Sequence, residues 1–170
     1  MRTITLFFIL IAFENPAQID IIEIKDTNNN IIEFKQDVLN EINDNLFLLA
    51  YADIETAKKD DTLTINFDLY TSYTIPKNKN IEAKHSEFTN CVIIDIIEKN
   101  KIDFVTTFYN EKKLRVGNVR KVILKPEEVG ELVVTPMELT VPLKYHFEGQ
   151  TETELIFVHI KSNEIRIDIH

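Results

Sequence analysis

The fold is decided by residues 137–169, which read MELTVPLKYHFEGQTETELIFVHIKSNEIRIDI. Apolar and polar residues alternate along this stretch, as expected for β-strands with one buried face. The apolar positions of the first strand are Met137, Leu139, Val141, Leu143, Tyr145 and Phe147. A helix would scatter these side chains around its whole surface, so the alternation predicts strands.

Two turns within the stretch predict a three-stranded meander. Gly149-Gln150 fits a two-residue hairpin loop, because glycine readily adopts a positive φ. The resulting register pairs Leu143 with Ile156, Val141 with Val158 and Leu139 with Ile160. A second loop at Ser162-Asn163 would add a third strand, with the pairs Ile160–Ile165, Val158–Ile167 and Ile156–Ile169. All three strands would then present aliphatic side chains to one core.

The remainder of the chain predicts one helix and several more strands. Apolar residues recur at spacings of three and four over residues 31–48, which indicates an amphipathic helix. Asn30 and Glu33 predict a capping box at its start. Its end is left open, because residues 46–51 would serve equally well as a buried strand. Further strands are predicted at residues 19–25, 62–75, 91–98, 102–109, 121–125 and 131–135.

Three connections follow from this assignment. Residues 91–98 and 102–109 are predicted to pair as a hairpin, and residues 110–119 form a charged connection to the next strand. Residues 76–90 are polar and lack a pattern, which predicts a mobile loop with a helical turn near residues 81–88.

These elements predict a mainly β fold, an antiparallel β-sandwich or half-open barrel with one amphipathic helix near residues 31–48. The alternative is an α+β fold, in which the helix packs on a curved antiparallel sheet as in cystatin-like proteins. No linker composition interrupts the chain, so we expect a single β-rich domain over residues 19–170.

The charge balance narrows the range of partners. The chain has 28 acidic and 19 basic residues, and its formal net charge is −9. Nucleic acids and anionic membrane surfaces are therefore poor partners, because both need a concentrated positive patch. The acidity fits a solvated surface or a surface that meets a basic protein. Three glycines cannot build a glycine-rich phosphate loop, and we expect no cofactor.

The residue types that carry catalysis or bind metals are sparse. Cys91 is the single cysteine, which excludes an intramolecular disulfide, and its apolar context predicts a thiol in a buried strand. The predicted register sets His146 and His159 on the order of 20 Å apart, so they cannot share an ion. Glu127-Glu128 and Glu152 with Glu154 are carboxylate pairs by count alone. We therefore expect no catalytic residue and no metal site.

Exposed aromatic residues offer a different kind of site. Several lie at predicted strand ends or beside the loop at residues 76–90, and tyrosine-bearing edges favour contacts with a protein or a glycan. The candidate interaction surface consists of Tyr70, Tyr73, His85, Phe88 and Tyr109.

Residues 1–18 have the three-part layout of a secretory signal peptide. One positive charge at Arg2 precedes about ten apolar residues and a short polar segment that contains Ala17. The apolar run is too short to span a bilayer comfortably, so we expect no membrane span in the mature chain. The competing interpretation is an ordinary first strand. A cleaved leader predicts export to the periplasm, the cell surface or the medium, whereas an uncleaved segment predicts a cytoplasmic protein.

Three functions remain. The first is an exported, non-catalytic β-rich domain with a structural or protein-interaction role in the bacterial envelope. The second is an acidic inhibitor or immunity-type protein that binds a basic toxin, and the third is a small hydrolase.

Mass spectrometry of the protein from its native host tests the leader. We expect a mature chain that begins near Gln18 or Ile19, because Ala17 has the small side chain that signal peptidases require before the cut. An intact Met1 in the accumulated protein would contradict cleavage and favour the second function.

Overall fold

The computed structural model describes residues 21–98 and 101–170. The predicted leader and the first two residues of the predicted first strand lie outside the described residues, as do residues 99 and 100. The described part is mainly β with one helix, which confirms the predicted fold class.

The described strands form three sheets, and the helix precedes the strand Leu46–Ala52 and buries Ile42 in the core. The elements are β1 (Ile21–Lys25), α1 (Gln36–Asn45), β2 (Leu46–Ala52), β3 (Thr56–Ala57), β4 (Leu63–Thr71), β5 (Glu82–Lys84), β6 (Cys91–Glu98), β7 (Val105–Tyr109), β8 (Lys112–Pro126), β9 (Gly130–Val134), β10 (Glu138–His146), β11 (Thr153–Lys161) and β12 (Ile165–Ile169). Sheet A has the order β1-β11-β10-β5, and sheet C has the order β3-β12-β9. Sheet B has the order β2-β4-β8-β6, and β7 also pairs with β8. Among the described pairs, only β12 and β3 run parallel.

The pairing of β10 with β11 confirms the predicted first hairpin. Leu143 lies opposite Ile156, Val141 opposite Val158 and Leu139 opposite Ile160, and all six side chains are buried. β1 pairs with the other edge of β11, so β11 has a neighbouring strand along both of its edges. Each buried aliphatic side chain contributes roughly 1.5–3 kcal/mol before the entropic cost of ordering the chain.

The partner that was predicted for the third strand of the meander is wrong. β12 pairs with β9 in sheet C, with Ile167 opposite Leu132, and does not continue sheet A. Ser162 and Asn163 form a corner between the sheets where a hairpin loop was predicted. The face of β12 that was predicted to be buried is correct, because its aliphatic residues Ile165, Ile167 and Ile169 are buried in the common core.

Hydrogen bonds explain the corner. The Ser162 N–H donates to the Met137 carbonyl at 2.8 Å, and the Met137 N–H donates to Ser162 Oγ at 3.0 Å. The Asn163 side chain accepts from the Ala50 N–H and donates to the Ala50 carbonyl, both at 2.9 Å. Asn163 therefore pairs with β2 as a strand residue would, and the chain is turned away from β11.

The predicted hairpin of residues 91–98 with 102–109 is also wrong. β6 and β7 lie end to end along the same edge of β8, which reaches both because it extends over the predicted connection at residues 110–119. β7 and β8 are joined by Asn110 and Glu111, which both have a positive φ. Such a turn matches the twist of a two-stranded hairpin.

The helix is shorter than the predicted span of residues 31–48. Ile31 pairs with Lys25 and extends the β1 turn, so the helix begins only at Gln36. The predicted capping box is absent, since the residue before the helix is Lys35 and makes no side-chain cap. The helix ends at Asn45, and Leu46–Ala52 forms β2, which is the strand that the sequence left open.

The polar segment at residues 76–90 contains a short strand where a helical turn was predicted. β5 pairs with residues 138–140 at the edge of sheet A. Phe88 forms an isolated bridge with Val134, and the Thr135 N–H donates to the Glu87 carbonyl at 3.0 Å. The segment is therefore tied to sheets A and C along its second half.

A pair of substitutions on sheet A tests the assignment of its two faces. Val158→Asp places an unpaired charge in the core and should lower the free energy of unfolding by more than about 4 kcal/mol, or abolish soluble expression. Lys144→Asp, on the exposed face, should change it by less than about 0.5 kcal/mol. Urea denaturation measures both, and equal effects would contradict the assignment.

Candidate functional site

Two of the five candidate aromatic and histidine residues lie together on the outer face of sheet B. The Tyr70 ring stacks on Phe47 at 4.8 Å, and Tyr109 lies 4.9 Å from Phe47 and 5.4 Å from Tyr70. Burial, followed by the charge of Asp68 and the neighbouring Tyr109, raises the pKa of Tyr70. These rings pack against one another, and the raised pKa keeps the Tyr70 phenol neutral at physiological pH.

Tyr73 belongs to a different cluster at one end of the core. Its ring lies 6.2 Å from Tyr145, which contacts Phe34 and Phe147 in turn. The Tyr73 hydroxyl is buried without a hydrogen-bond partner among the described residues, and burial followed by the charge of Glu41 raises its pKa. Tyr73 is thus part of the packing under the helix.

His85 and Phe88 lie apart from both clusters. His85 Nε2 is 3.8 Å from Glu98 Oε1 near the end of β6. Phe88 is partly buried and packs against the core. The structure therefore distributes the five candidate residues over several places and brings only Tyr70 and Tyr109 together.

The most prominent surface feature is an apolar edge formed by β6 and β7. Its side chains are Val92, Ile93, Ile94, Ile96, Ile97, Val105 and Phe108. Ile94 is 55% exposed, and Phe108 at the far end is 72% exposed. Large apolar side chains this exposed along one continuous edge are unusual on a monomeric protein, where such patches commonly mark interaction sites.

The edge is exposed on both faces of the sheet. Ile93 lies opposite the buried Leu124, whereas Val92 and Ile97 lie opposite Lys125 and Lys121. Consecutive apolar residues are typical of a strand covered on both faces, which is why the sequence did not reveal this surface. The available signal was Asp95, because a charge in the middle of an apolar strand is a device of edge strands.

Backbone irregularity protects this edge against strand pairing. The register of β6 on β8 shifts between Ile93 and Asp95, so Ile94 sits at a bulge. Asp95 Oδ1 accepts a hydrogen bond of 2.8 Å from the Ile96 N–H, which removes one donor that a partner strand would use. Bulges and edge charges both discourage edge-to-edge aggregation.

Cys91 is the first residue of β6, at one end of the apolar edge, and it is only half buried. The expectation of a thiol in a buried strand is therefore wrong. Burial, followed by the charge of Glu127, raises the pKa of its thiol. A raised pKa keeps the thiol protonated and weakly nucleophilic at neutral pH.

The outer face of sheet A carries a row of charged residues, which we call the charge row. It runs from Lys25 through Glu23, His159 and Glu138 to Lys84. The successive distances are 2.5 Å from Lys25 Nζ to Glu23 Oε1, 3.9 Å from there to His159 Nδ1, 3.2 Å from His159 Nε2 to Glu138 Oε2, and 3.0 Å from Glu138 Oε1 to Lys84 Nζ. The two glutamates face different nitrogens of His159, so the three groups cannot bind one metal ion together.

The charge row borders an open groove across the strands of sheet A. A cleft of about 270 Å³ between the β1 turn and β5 adjoins a second cleft of about 220 Å³, and both are lined by Glu82, Thr140 and His159. Phe157 contributes an aromatic ring to the larger cleft. Sequence reasoning missed this groove, because its residues come from separate strands and form no local motif.

The remaining candidates for chemistry do not converge on a site. Glu127, Glu128, Glu152 and Glu154 are all exposed. His146 lies opposite Thr153 and His159 opposite Thr140, which follows from the register predicted for this hairpin. Within residues 21–98 and 101–170, no group of three or more histidine, cysteine, aspartate or glutamate side chains could hold a metal ion. The helix in this part of the chain is not long and apolar enough to cross a membrane. Comparison with protein-family models, curated proteins and solved structures finds no match for the chain.

Substitution of Glu138 tests the charge row. A hydrogen bond from Lys84 is the main cause that lowers the pKa of Glu138, and His159 contributes further. A lowered pKa stabilises the fold above the pKa of the unfolded state, and this stabilisation is lost as the pH falls through the folded-state value. Glu138→Gln should therefore reduce the free energy of unfolding by up to about 1 kcal/mol near neutral pH.

The difference between Glu138→Gln and the unmodified protein should shrink as the pH falls through the lowered pKa of Glu138, because the carboxyl is then protonated in both the folded and the unfolded state. Urea unfolding at neutral and acidic pH measures it. Glu152→Gln, at an exposed position near the tip of the β10–β11 hairpin, is the control and should have no effect at either pH. A difference that persists in acid would contradict the ionic origin of the stabilisation.

Proposed function

We propose that the protein is a non-catalytic binding module of the bacterial envelope that recognises another protein through its apolar edge. The observation that carries this proposal is the continuous exposure of large apolar side chains along β6 and β7. Covering such a surface is favourable by roughly 25 cal/mol for each Å² removed from water. Retaining it at the surface is costly to solubility unless a partner uses it.

The protection of the edge favours a partner other than a second copy. The bulge at Ile94 and the Asp95 bond to the Ile96 N–H hinder the backbone pairing by which two identical edges would join. Two chains that each carry a net charge of −9 also repel one another. The partner that fits is an apolar segment accompanied by basic residues, which gains from the acidic field of the domain.

Export is part of the proposal. β1 begins at Ile21, four residues after Ala17, so cleavage at the predicted position would leave every described strand intact. A basic partner also suits the cytosolic inhibitor that the sequence left as an alternative. The maturation state separates the two, because it determines which proteins the domain can meet.

A peptide titration tests the surface. The probe is a synthetic peptide of alternating lysine and valine, and a peptide of alternating glutamate and valine with the same length is the charge control. We expect saturable shifts of the β6 and β7 amide signals in NMR spectra with the basic peptide alone. The variant Val92→Ser with Ile97→Ser should weaken binding about tenfold, because it removes apolar contact area without changing charge.

The matched control is Ile22→Ser with Ile31→Ser, which removes exposed aliphatic side chains of similar size near β1. This variant should bind the basic peptide as the unmodified protein does. Equal loss in both variants, or equal binding of the acidic peptide, would contradict the proposed surface. Tight dimerisation through β6 in sedimentation experiments would show that a second copy occupies the edge and would also overturn the proposal.

A further inference from the structure

The groove on sheet A lies on a different sheet from the apolar edge and has different chemistry. Its two clefts share the lining residues Glu82, Thr140 and His159 and therefore adjoin one another. The β1 turn closes one end, where the Asp26 carboxylate accepts from the N–H groups of Asn28 and Asn30 at 2.8 Å. The groove is therefore bounded by a turn held in shape by its own hydrogen bonds and can receive a ligand without first being ordered.

Several polar groups in the groove are available to a ligand. Within the described part of the chain, the side chains of Asn80, Glu82 and Thr140 make no hydrogen bond to other protein groups, although each lines the larger cleft. An amide, a carboxylate and a hydroxyl together offer both donors and acceptors. Phe157, which is only partly buried, lines the same cleft.

The charges of Glu23, Glu138, Lys25 and Lys84 beside the groove are paired with one another, whereas Glu82 and Asp26 have no cationic partner among the described residues. Glu23 faces Lys25 and His159, and Glu138 faces Lys84 and His159. A phosphate or sulfate would find no free positive charge, and the acidic Glu82 would repel it. The groove therefore favours a neutral ligand that is rich in hydroxyl groups.

We propose that this groove binds a neutral oligosaccharide, with one sugar ring on Phe157 and its hydroxyl groups bonded to Asn80, Glu82 and Thr140. The C–H bonds on one face of a sugar ring carry partial positive charge and pack on the negative face of an aromatic ring. The second cleft lies where the next unit of a chain would continue past His159. This proposal is independent of the protein-binding edge, because the two surfaces lie on different sheets and share no residue.

NMR titrations of the full domain with maltotetraose, cellotetraose and chitotetraose test the proposal. We expect at least one of them to cause saturable shifts of the Thr140, Phe157 and His159 amides, with a Kd on the order of 1 mM. Phe157→Ala should weaken binding about tenfold, because the ring provides the stacking surface. Asn80→Ala should weaken it about threefold, and this loop position is exposed, so folding is not at risk.

Phe108→Ala is the matched control, because Phe108 is an exposed aromatic residue on the apolar edge, away from the groove. It should bind the sugar as the unmodified protein does. The proposal is overturned if none of the three sugars shifts groove signals saturably, or if Phe157→Ala and Phe108→Ala bind equally well. It is also overturned if a trilysine peptide occupies the groove and the sugars do not, since the site would then recognise cations.

Discussion

The structure depends on the corner at Ser162 and Asn163, where all three sheets are joined. Ser162 closes the pairing of β10 with β11 through its exchange of hydrogen bonds with Met137. Asn163 then attaches to both backbone groups of Ala50 in sheet B, and the chain continues into β12 of sheet C. These side-chain bonds replace backbone pairing at a place where an ordinary turn would have kept β12 beside β11. Because of this corner, the aliphatic faces of separate sheets can share one core.

The corner also explains which parts of the fold the sequence could predict. Alternation of apolar and polar residues specifies which face of a strand is buried, and a tight turn specifies a neighbour. Both signals are present for β10 and β11, and their register is correct. For β12, the alternation predicts the buried face correctly, but the turn does not predict the neighbouring strand. Its isoleucines are buried as predicted, but its partner is β9, because the pair Ser162-Asn163 makes bonds to residues that are distant in sequence.

Strand β8 illustrates a second limit of sequence reasoning. β8 is one long strand that pairs with β4 along one edge and with both β6 and β7 along the other edge. Charged residues in its first half suggested a connection, because a strand in the middle of a sheet is expected to be apolar. Gly117 within that half allows Ile102 and Phe104 to lie against the strand, and a Cβ at this position would clash with Ile102. Such close approach depends on tertiary contacts and leaves only a lone glycine in the sequence.

The candidate surfaces arise from the same rule, because strands distant in sequence place their side chains next to one another. Tyr70 and Tyr109 could be selected as aromatic residues at strand ends, whereas the charge row brings together residues of β1, β5, β10 and β11.

The apolar edge and the groove approach each other at Glu98. Its carboxylate lies 3.8 Å from His85, beyond the end of β5, and 3.3 Å from Nη1 of the buried Arg120. A buried guanidinium needs a partner, so the end of β6 is held against the body of the domain. The apolar side chains of β6 are therefore presented on a fixed backbone, and a partner that covers them need not order the strand first, which reduces the entropic cost of binding.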